Sequence, residues 1–267
     1  MDQTTPILQA SLAVKPWLVP GLWRLPGLQP LEPARWLQVD DAYGAQLAEK
    51  ARLVAVRLPD VHALPDAARP AAAELVALVL AHLARRPGFA VQGDRVTRPD
   101  GATVRIDPSA PLLTLGQLVQ EDFCLLQKAE VQGAGDEHRL TAALLGFPGS
   151  WTLAQKLGRP LSAIHQPVAS YDDQMARRVQ RLFDLIRPDQ PLFRINALLY
   201  ADATLFQPKG EAEVRPRQGA RAYLRSERQS LWRLADTGAV VFSIHTSVVA
   251  AASLTDEDHA ALALGGH

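Results

Sequence analysis

An α+β fold is predicted: a five-stranded antiparallel sheet with helices on one face, preceded by a helical N-terminal extension. Two observations carry this. Five stretches after residue 120 have strand character, and a long strand-free interval, residues 148–191, separates the second from the third. Before residue 110 the chain reads mostly as helices and one hairpin. This divides it into residues 1–110, an arm, helices and hairpin packed on the core, and residues 111–267, the sheet-bearing unit.

Residues 1–35 are rich in Pro, Leu and Trp ("KPWLVPGLWRLPGLQPLEPARW"), and repeated prolines forbid a continuous helix. Trp17, Trp23 and Trp36 argue for an arm lying on the body of the protein. Residues 41–57 and 70–86 read as helices. The second opens on a proline and closes on Arg85 and Arg86, favourable near the negative end of the helix dipole. "FAVQGDRVTRPDGATVRI" alternates around Pro99-Asp100-Gly101, a hairpin signal.

"LLTLGQLVQEDF" reads as a short amphipathic helix, and "CLLQKAEV" and "HRLTAALLGF" as strands joined by the turn-rich "QGAGDE". In the interval, "SWTLAQKLG" looks helical, with Ser150 as N-cap and Gly158 as its stop. "DDQMARRVQRLFDLI" is an amphipathic helix with acids in its first turn. Strands "LFRINALLY", "ARAYLRSERQSLWRL" and "GAVVFSIHTSVV" follow, the last two joined by "ADTG", and a short helix opened by Thr255 ends the chain. From residue 122 the order is strand, strand, helical interval, strand, strand, strand. That is the element order of a PAS-type domain.

Composition removes several function classes. The 267 residues are 48% hydrophobic, which indicates a globular chain. Lys+Arg and Asp+Glu are both 28, so the basic excess of a nucleic-acid protein is missing. The single cysteine, Cys124, excludes an internal disulfide, a thiolate zinc site and an iron–sulfur cluster held by this chain alone, and it reads as a small buried hydrophobe. Neither GxGxxG nor GxxxxGK[ST] occurs, so reducing equivalents for any redox chemistry must come from elsewhere. With no apolar stretch of bilayer length and no signal-peptide pattern at "MDQTTPILQASL", the expectation is a cytoplasmic protein without a membrane partner.

His165 lies in the helical interval, in "LGRPLSAIHQPVASYDDQ". A histidine there can be a packing residue, a general base or a metal ligand, and its own surroundings in sequence leave all three open. His62, His82, His138, His259 and His267 read as surface residues. The strand "LRSERQSLWRL" is unusual for its charge. Alternation puts Leu224, Ser226, Arg228 and Ser230 on one face, and Arg225, Glu227, Gln229 and Leu231 on the other. Such a face is either solvated or a polar wall in which Arg and Glu pair and present hydrogen bonds to a ligand. Arg194 and Asn196 share a face of their strand, and His245 shares one with Ser243 and Ser247. Polar groups interrupting three successive strands suggest one pocket on a shared sheet.

"FPGSWTLAQKLGRPLSAIHQPV", "FRIN" and "LRSERQSLWRLADTGAVVFSIHT" together resemble the haem-dependent oxidative N-demethylase family, over roughly residues 110–250. The motifs are W-x-x-x-x-K-x-G-x-x-L-x-x-I-H-x-P-V followed by R-x-E-R-Q-x-L-x-R-L. The resemblance implies a PAS-like fold holding haem b, with oxygen as co-substrate. A small amine would be the substrate, and electrons would come from a separate flavin or iron–sulfur reductase or ferredoxin-type subunit. It implies His165 as the axial iron ligand and Arg225, Glu227, Arg228 and Gln229, on the R-x-E-R-Q pattern, as haem-pocket and structural polar residues. Taken with the polar positions on the three strands, the expected cofactor-binding residues are Arg194, Asn196, Arg228 and Gln229, and the expected catalytic ones Arg225, Glu227 and His245. Two positions depart from the family pattern: Ala197 stands where tryptophan is expected, and His245 where arginine is. The same scaffold serves a haem-based gas sensor or haem carrier. A third reading joins His165 and His245 with Asp172 or Glu227 around a non-haem metal.

Overall fold

The computed structural model describes residues 5–23, 27–128, 137–166, 173–211, 213 and 221–264. The N-terminal part comprises β1 (Gln29–Pro30), α1 (Tyr43–Val61), β2 (His62–Ala63), α2 (Arg69–Leu83), β3 (Ala90–Gln92), β4 (Arg95–Thr97), β5 (Thr103–Arg105) and α3 (Pro111–Gly116). Then come β6 (Asp122–Lys128), β7 (His138–Leu144), α4 (Leu153–Lys156), α5 (Leu161–His165) and α6 (Asp173–Leu185). The chain finishes with β8 (Leu192–Tyr200), β9 (Tyr223–Arg233), β10 (Val240–Ala250) and α7 (Asp256–Leu264).

The large sheet has seven strands, not five, in the order β1-β8-β9-β10-β6-β7-β2, with every neighbouring pair antiparallel. The five predicted strands are its contiguous centre. β1 and β2 are two-residue strands from the N-terminal region that close the two edges, against Leu192–Phe193 and Ala143–Leu144. A dipeptide carries no alternation, so neither announces itself in the sequence. The hairpin region forms a separate three-stranded sheet, with Gly93 and Gly101 at positive φ in its two turns.

Helices cover both faces of the sheet rather than one. On one face Phe123, Leu125, Ala142, Leu144, Trp232 and Val241 pack against α2 and α3. On the other, Cys124, Leu126, Leu140, Ala143, Leu231 and Ile244 pack against α4, α5 and α6 through Leu153, Leu161 and Phe183. Both alternate sets of β6 and β10 are therefore buried, as expected of strands that are apolar on both sides.

Local departures have local causes. The helix expected over residues 112–123 stops at Gly116, whose close approach to Leu144 leaves no room for a Cβ (2.3 Å to Leu144 Cδ2). Gln120 and Glu121 then turn inward, and Asp122 already belongs to β6. Thr152 stands at the N-cap position of α4, its hydroxyl donating to Gln155 Oε1 (2.9 Å) rather than accepting from a backbone N–H, while Ser150 has φ 71° and begins no helix; Gly158, at φ 76°, ends the segment as expected. α1 continues past residue 57 through a kink at Arg57, two residues before Pro59. His138 is buried rather than exposed, under Gln180 and Phe183 of α6. His267 lies outside the described residues.

The arm lies on the body as the tryptophans indicate. Trp36 Nε1 donates to Ser243 Oγ (2.8 Å), and the Trp17 indole and Lys15 ammonium both bind the Asp258 carboxylate (2.8 and 2.6 Å). Asp258 also closes a reciprocal cap with Thr255 at the start of α7: Thr255 N–H donates to the carboxylate (3.0 Å) and Asp258 N–H to the hydroxyl (3.2 Å). Thr255→Ala is expected to cost about 1 kcal/mol in urea unfolding. No described helix is long and apolar enough to cross a membrane.

Candidate functional site

The face covered by α4–α6 carries a polar patch at one end. Antiparallel register sets Arg194 opposite Gln229, Asn196 opposite Glu227 and Leu198 opposite Arg225, so these side chains share a face. Arg225 is buried and fully engaged: Nη2 donates to the Phe147 carbonyl (2.5 Å), Nη1 to the Leu205 carbonyl (2.9 Å) and Nε to Glu227 Oε1 (2.9 Å). Gln229 donates to the other Glu227 oxygen (3.1 Å). The carboxylate is thereby held at both oxygens. Gly149 passes so close that a Cβ there would lie 2.5 Å from Glu227 Oε1. A cavity of about 40 Å³ opens between Gly149, Asn196, Leu198, Tyr200, Arg225 and Glu227.

His165 ends α5 on the same side of the sheet. Its Nδ1 lies 2.8 Å from the Leu161 carbonyl. A carbonyl only accepts, so Nδ1 carries the proton and the lone pair of the neutral ring is on Nε2. Burial holds the imidazole below the usual histidine range, and the charges of Lys156 and Arg194 push the same way against the hydrogen bond to Leu161. α5 is anchored by Leu161 in the core and by Lys156, which donates to the Ile164 carbonyl (2.6 Å) and pairs with Glu211 (2.8 Å). Lys156 and Gly149 have roles that residue-type reasoning missed. Lys156 stands inside the W-x-x-x-x-K motif, which was the available signal. Arg194 is half-buried beside this histidine, and makes no hydrogen bond to a described residue.

His245 and Arg228 are not part of this patch. They are cross-strand partners, one residue out of step with Glu227 and its partner Thr246, and they face the N-terminal region. Arg228 donates to the carbonyls of Arg35 and Trp36 and lies over the Phe193 ring. His245 is buried between Asp40 Oδ2 (2.9 Å from Nε2) and Glu121 Oε1 (3.2 Å from Nδ1). Burial opposes its charge, yet the hydrogen bonds and charges of Asp40 and Glu121 prevail and raise it to about 9. A pocket shared by His165 and His245 is thus overturned by sheet parity. The non-haem metal set fails with it: Asp172 lies outside the described residues, and among those described no three His, Cys, Asp or Glu are grouped to hold a metal.

A family model described as haem-dependent oxidative N-demethylase, alpha subunit-like, matches residues 27–265. The chain belongs to this family. No curated protein is found to match it. The match begins at residue 27, so it takes in the first helices of the N-terminal region but leaves out most of the arm. Both departures from the family pattern sit on the face away from Glu227. Ala197 packs in one cluster with Trp17, and His245 keeps a cation at its position in the form of an imidazolium.

The donor set fits the haem that the family name implies. Haem iron takes an imidazole nitrogen whose partner nitrogen is held by a hydrogen bond, as His165 provides. A guanidinium such as that of Arg194 suits a carboxylate. The 40 Å³ cavity is far below the roughly 300 Å³ of a small-molecule pocket. A macrocycle would extend beyond it; residues 167–172, which follow His165 after Gln166, lie outside the described residues.

Proposed function

We propose that this protein is a haem-dependent monooxygenase that oxidises an N-alkyl group of a small amine, using electrons from a separate protein. The observation that carries the reading is His165: a neutral imidazole whose Nδ1 is tied to a backbone carbonyl, beside an arginine with no hydrogen bond to a described residue. The central strands, β8-β9-β10-β6-β7, would be the PAS-like part of the larger sheet.

In this reading His165 holds the haem b iron through Nε2, and Arg194 binds a propionate. The bound haem supplies oxygen activation and one-electron chemistry. Glu227 presents a fixed negative charge, since Arg225 and Gln229 hold its two oxygens. That charge receives a protonated amine and orients it, and Asn196 across the strand pair offers an amide donor and acceptor beside it. Arg225 cannot swing toward substrate without giving up two backbone carbonyls. Helices α4–α6 cover the apolar part of this face, beside the patch. With one cysteine and no nucleotide fingerprint, the chain relies on a flavin or iron–sulfur partner for electrons, and the proposed setting is the cytoplasm.

The test uses the haem-loaded, reduced protein mixed with oxygen and a panel of small N-methylamines. Formaldehyde release is expected from at least one amine, and Glu227→Gln should raise KM for it by about tenfold or more, the loss of one charge-assisted contact. Oxygen binding without formaldehyde from any amine would contradict the enzyme and favour a gas sensor.

A further inference from the structure

The site described above leaves out a fully buried ion pair. Lys50 of α1 and Asp122 of β6 are 1% and 0% exposed and 3.0 Å apart, and the Lys50 ammonium also donates to the carbonyls of Gln120 (2.7 Å) and Glu121 (2.6 Å). Replacing such a pair with well-packed apolar residues is often neutral or stabilising, so stability alone is a poor reason for it to be there. Its second carboxylate oxygen points to another use. Asp122 Oδ2 accepts the Phe147 N–H (2.7 Å), and the carbonyl of the same residue accepts Arg225 Nη2 (2.5 Å). The Lys50 ammonium lies 5.3 Å from the centre of the Phe147 ring.

Phe147 sits in the tetrapeptide Gly146-Phe147-Pro148-Gly149, and the two glycines mark close approaches at its two ends. A Cβ at Gly146 would lie 3.1 Å from Lys50 Cγ and 3.4 Å from Asp122 Oδ1. A Cβ at Gly149 would lie 2.5 Å from Glu227 Oε1. The strap is thus pressed on the ion pair at one end and on the Glu227 carboxylate at the other. Pro148 fixes its own φ and restricts Phe147 to extended conformations.

We propose that Asp122 and Lys50 are positioning residues for the Glu227 carboxylate, acting through the Gly146–Gly149 strap and Arg225. This rests on the reading of Glu227 as the group that receives the amine, and it adds two residues that touch neither haem nor substrate. The ion pair fixes where the Phe147 carbonyl lies, that carbonyl fixes the Arg225 guanidinium, and Arg225 Nε fixes Glu227 Oε1.

The experiment is a double-mutant cycle between Lys50→Met/Asp122→Asn, which removes both charges together, and Glu227→Gln. It is read first by urea unfolding of the purified chain without haem. Independent sites add to within about twofold in the unfolding constant, whereas coupled ones deviate by threefold or more. Deviation of threefold or more is expected, and additivity within twofold would overturn the proposal whatever becomes of the haem reading. If the charge-free pair does not fold, Asp122→Glu keeps the charge while shifting the carboxylate by one methylene, and enters the same cycle with the same two outcomes. In haem-loaded protein, dimethylammonium chloride is the probe, followed by absorption. The pair substitution should weaken its binding as Glu227→Gln does, with no further loss on combination. Val79→Ala, a core change on the opposite sheet face, should lower stability and leave that binding unchanged. Equal weakening by Val79→Ala would also overturn the proposal.

Discussion

Replacing His245 with leucine is expected to cost about 3–5 kcal/mol at neutral pH, measured by urea unfolding, because it leaves the buried Glu121 carboxylate and the half-buried Asp40 carboxylate without their shared cation. Asp40 and Glu121 come from separate segments of the N-terminal half, and His245 is the point at which both meet the sheet. The network extends further: Gln9 and Gln120 donate to Asp40 (3.0 and 2.7 Å), and the Gln38 N–H donates to Glu121 (2.7 Å). Arg228, across the strand pair, adds a second cation to this face.

The same residue sets a pH dependence. His245 titrates near 6.5 when unfolded and near 9 when folded. Between those values the folded chain binds more protons, so its stability falls as pH rises. The contribution is complete below about pH 6.5 and is lost through pH 9, on the order of 3 kcal/mol in all. Asp40 acts at the other end: burial would raise it, but His245 and Gln120 hold it below the usual carboxylate range, so its contribution is lost in acid. His245→Arg, the residue expected from the family pattern, should abolish the alkaline fall between pH 6.5 and 9. A fall of unchanged size in His245→Arg would assign it to another group.

Lys50→Met alone is expected to destabilise by a similar amount, roughly 3–5 kcal/mol in urea unfolding. It strands the buried Asp122 carboxylate and takes the ammonium away from the carbonyls of Gln120 and Glu121. Adding Asp122→Asn to the same chain should recover a large part of that loss, since the uncompensated charge disappears. A double variant no more stable than the single one would show that the cost lies in packing or in the carbonyls rather than in the stranded charge.

Much of the site was legible because strand parity is local. Within β9 alternation alone groups Arg225, Glu227 and Gln229, and within β8 it groups Arg194 with Asn196. What it cannot give is the parity of one strand relative to another. Polar residues on three neighbouring strands looked like one pocket, yet His245 pairs with Arg228, on the face that alternation within β9 already separates from Glu227. The controlling facts are the register of β10 on β9 and two partners of His245 at positions 40 and 121, too distant in sequence to foresee. His138 was misjudged for the same reason, since Gln180 covers it from another element. In the fold, the long alternating strands were readable, whereas β1 and β2 exist only as complements to edges already built. The strap at 146–149 was visible as two glycines around a proline, but its purpose depends on what presses against each end.

The central claim is that His165 holds a haem iron through the nitrogen opposite its backbone hydrogen bond, and haem titration followed by absorption tests it most directly. The wild-type chain should develop an intense Soret band at one haem per chain. His165→Ala should show a weakened or shifted band that added imidazole restores. A fully loaded His165→Ala with the wild-type spectrum, or a wild-type chain that stays colourless with haem supplied, would contradict it.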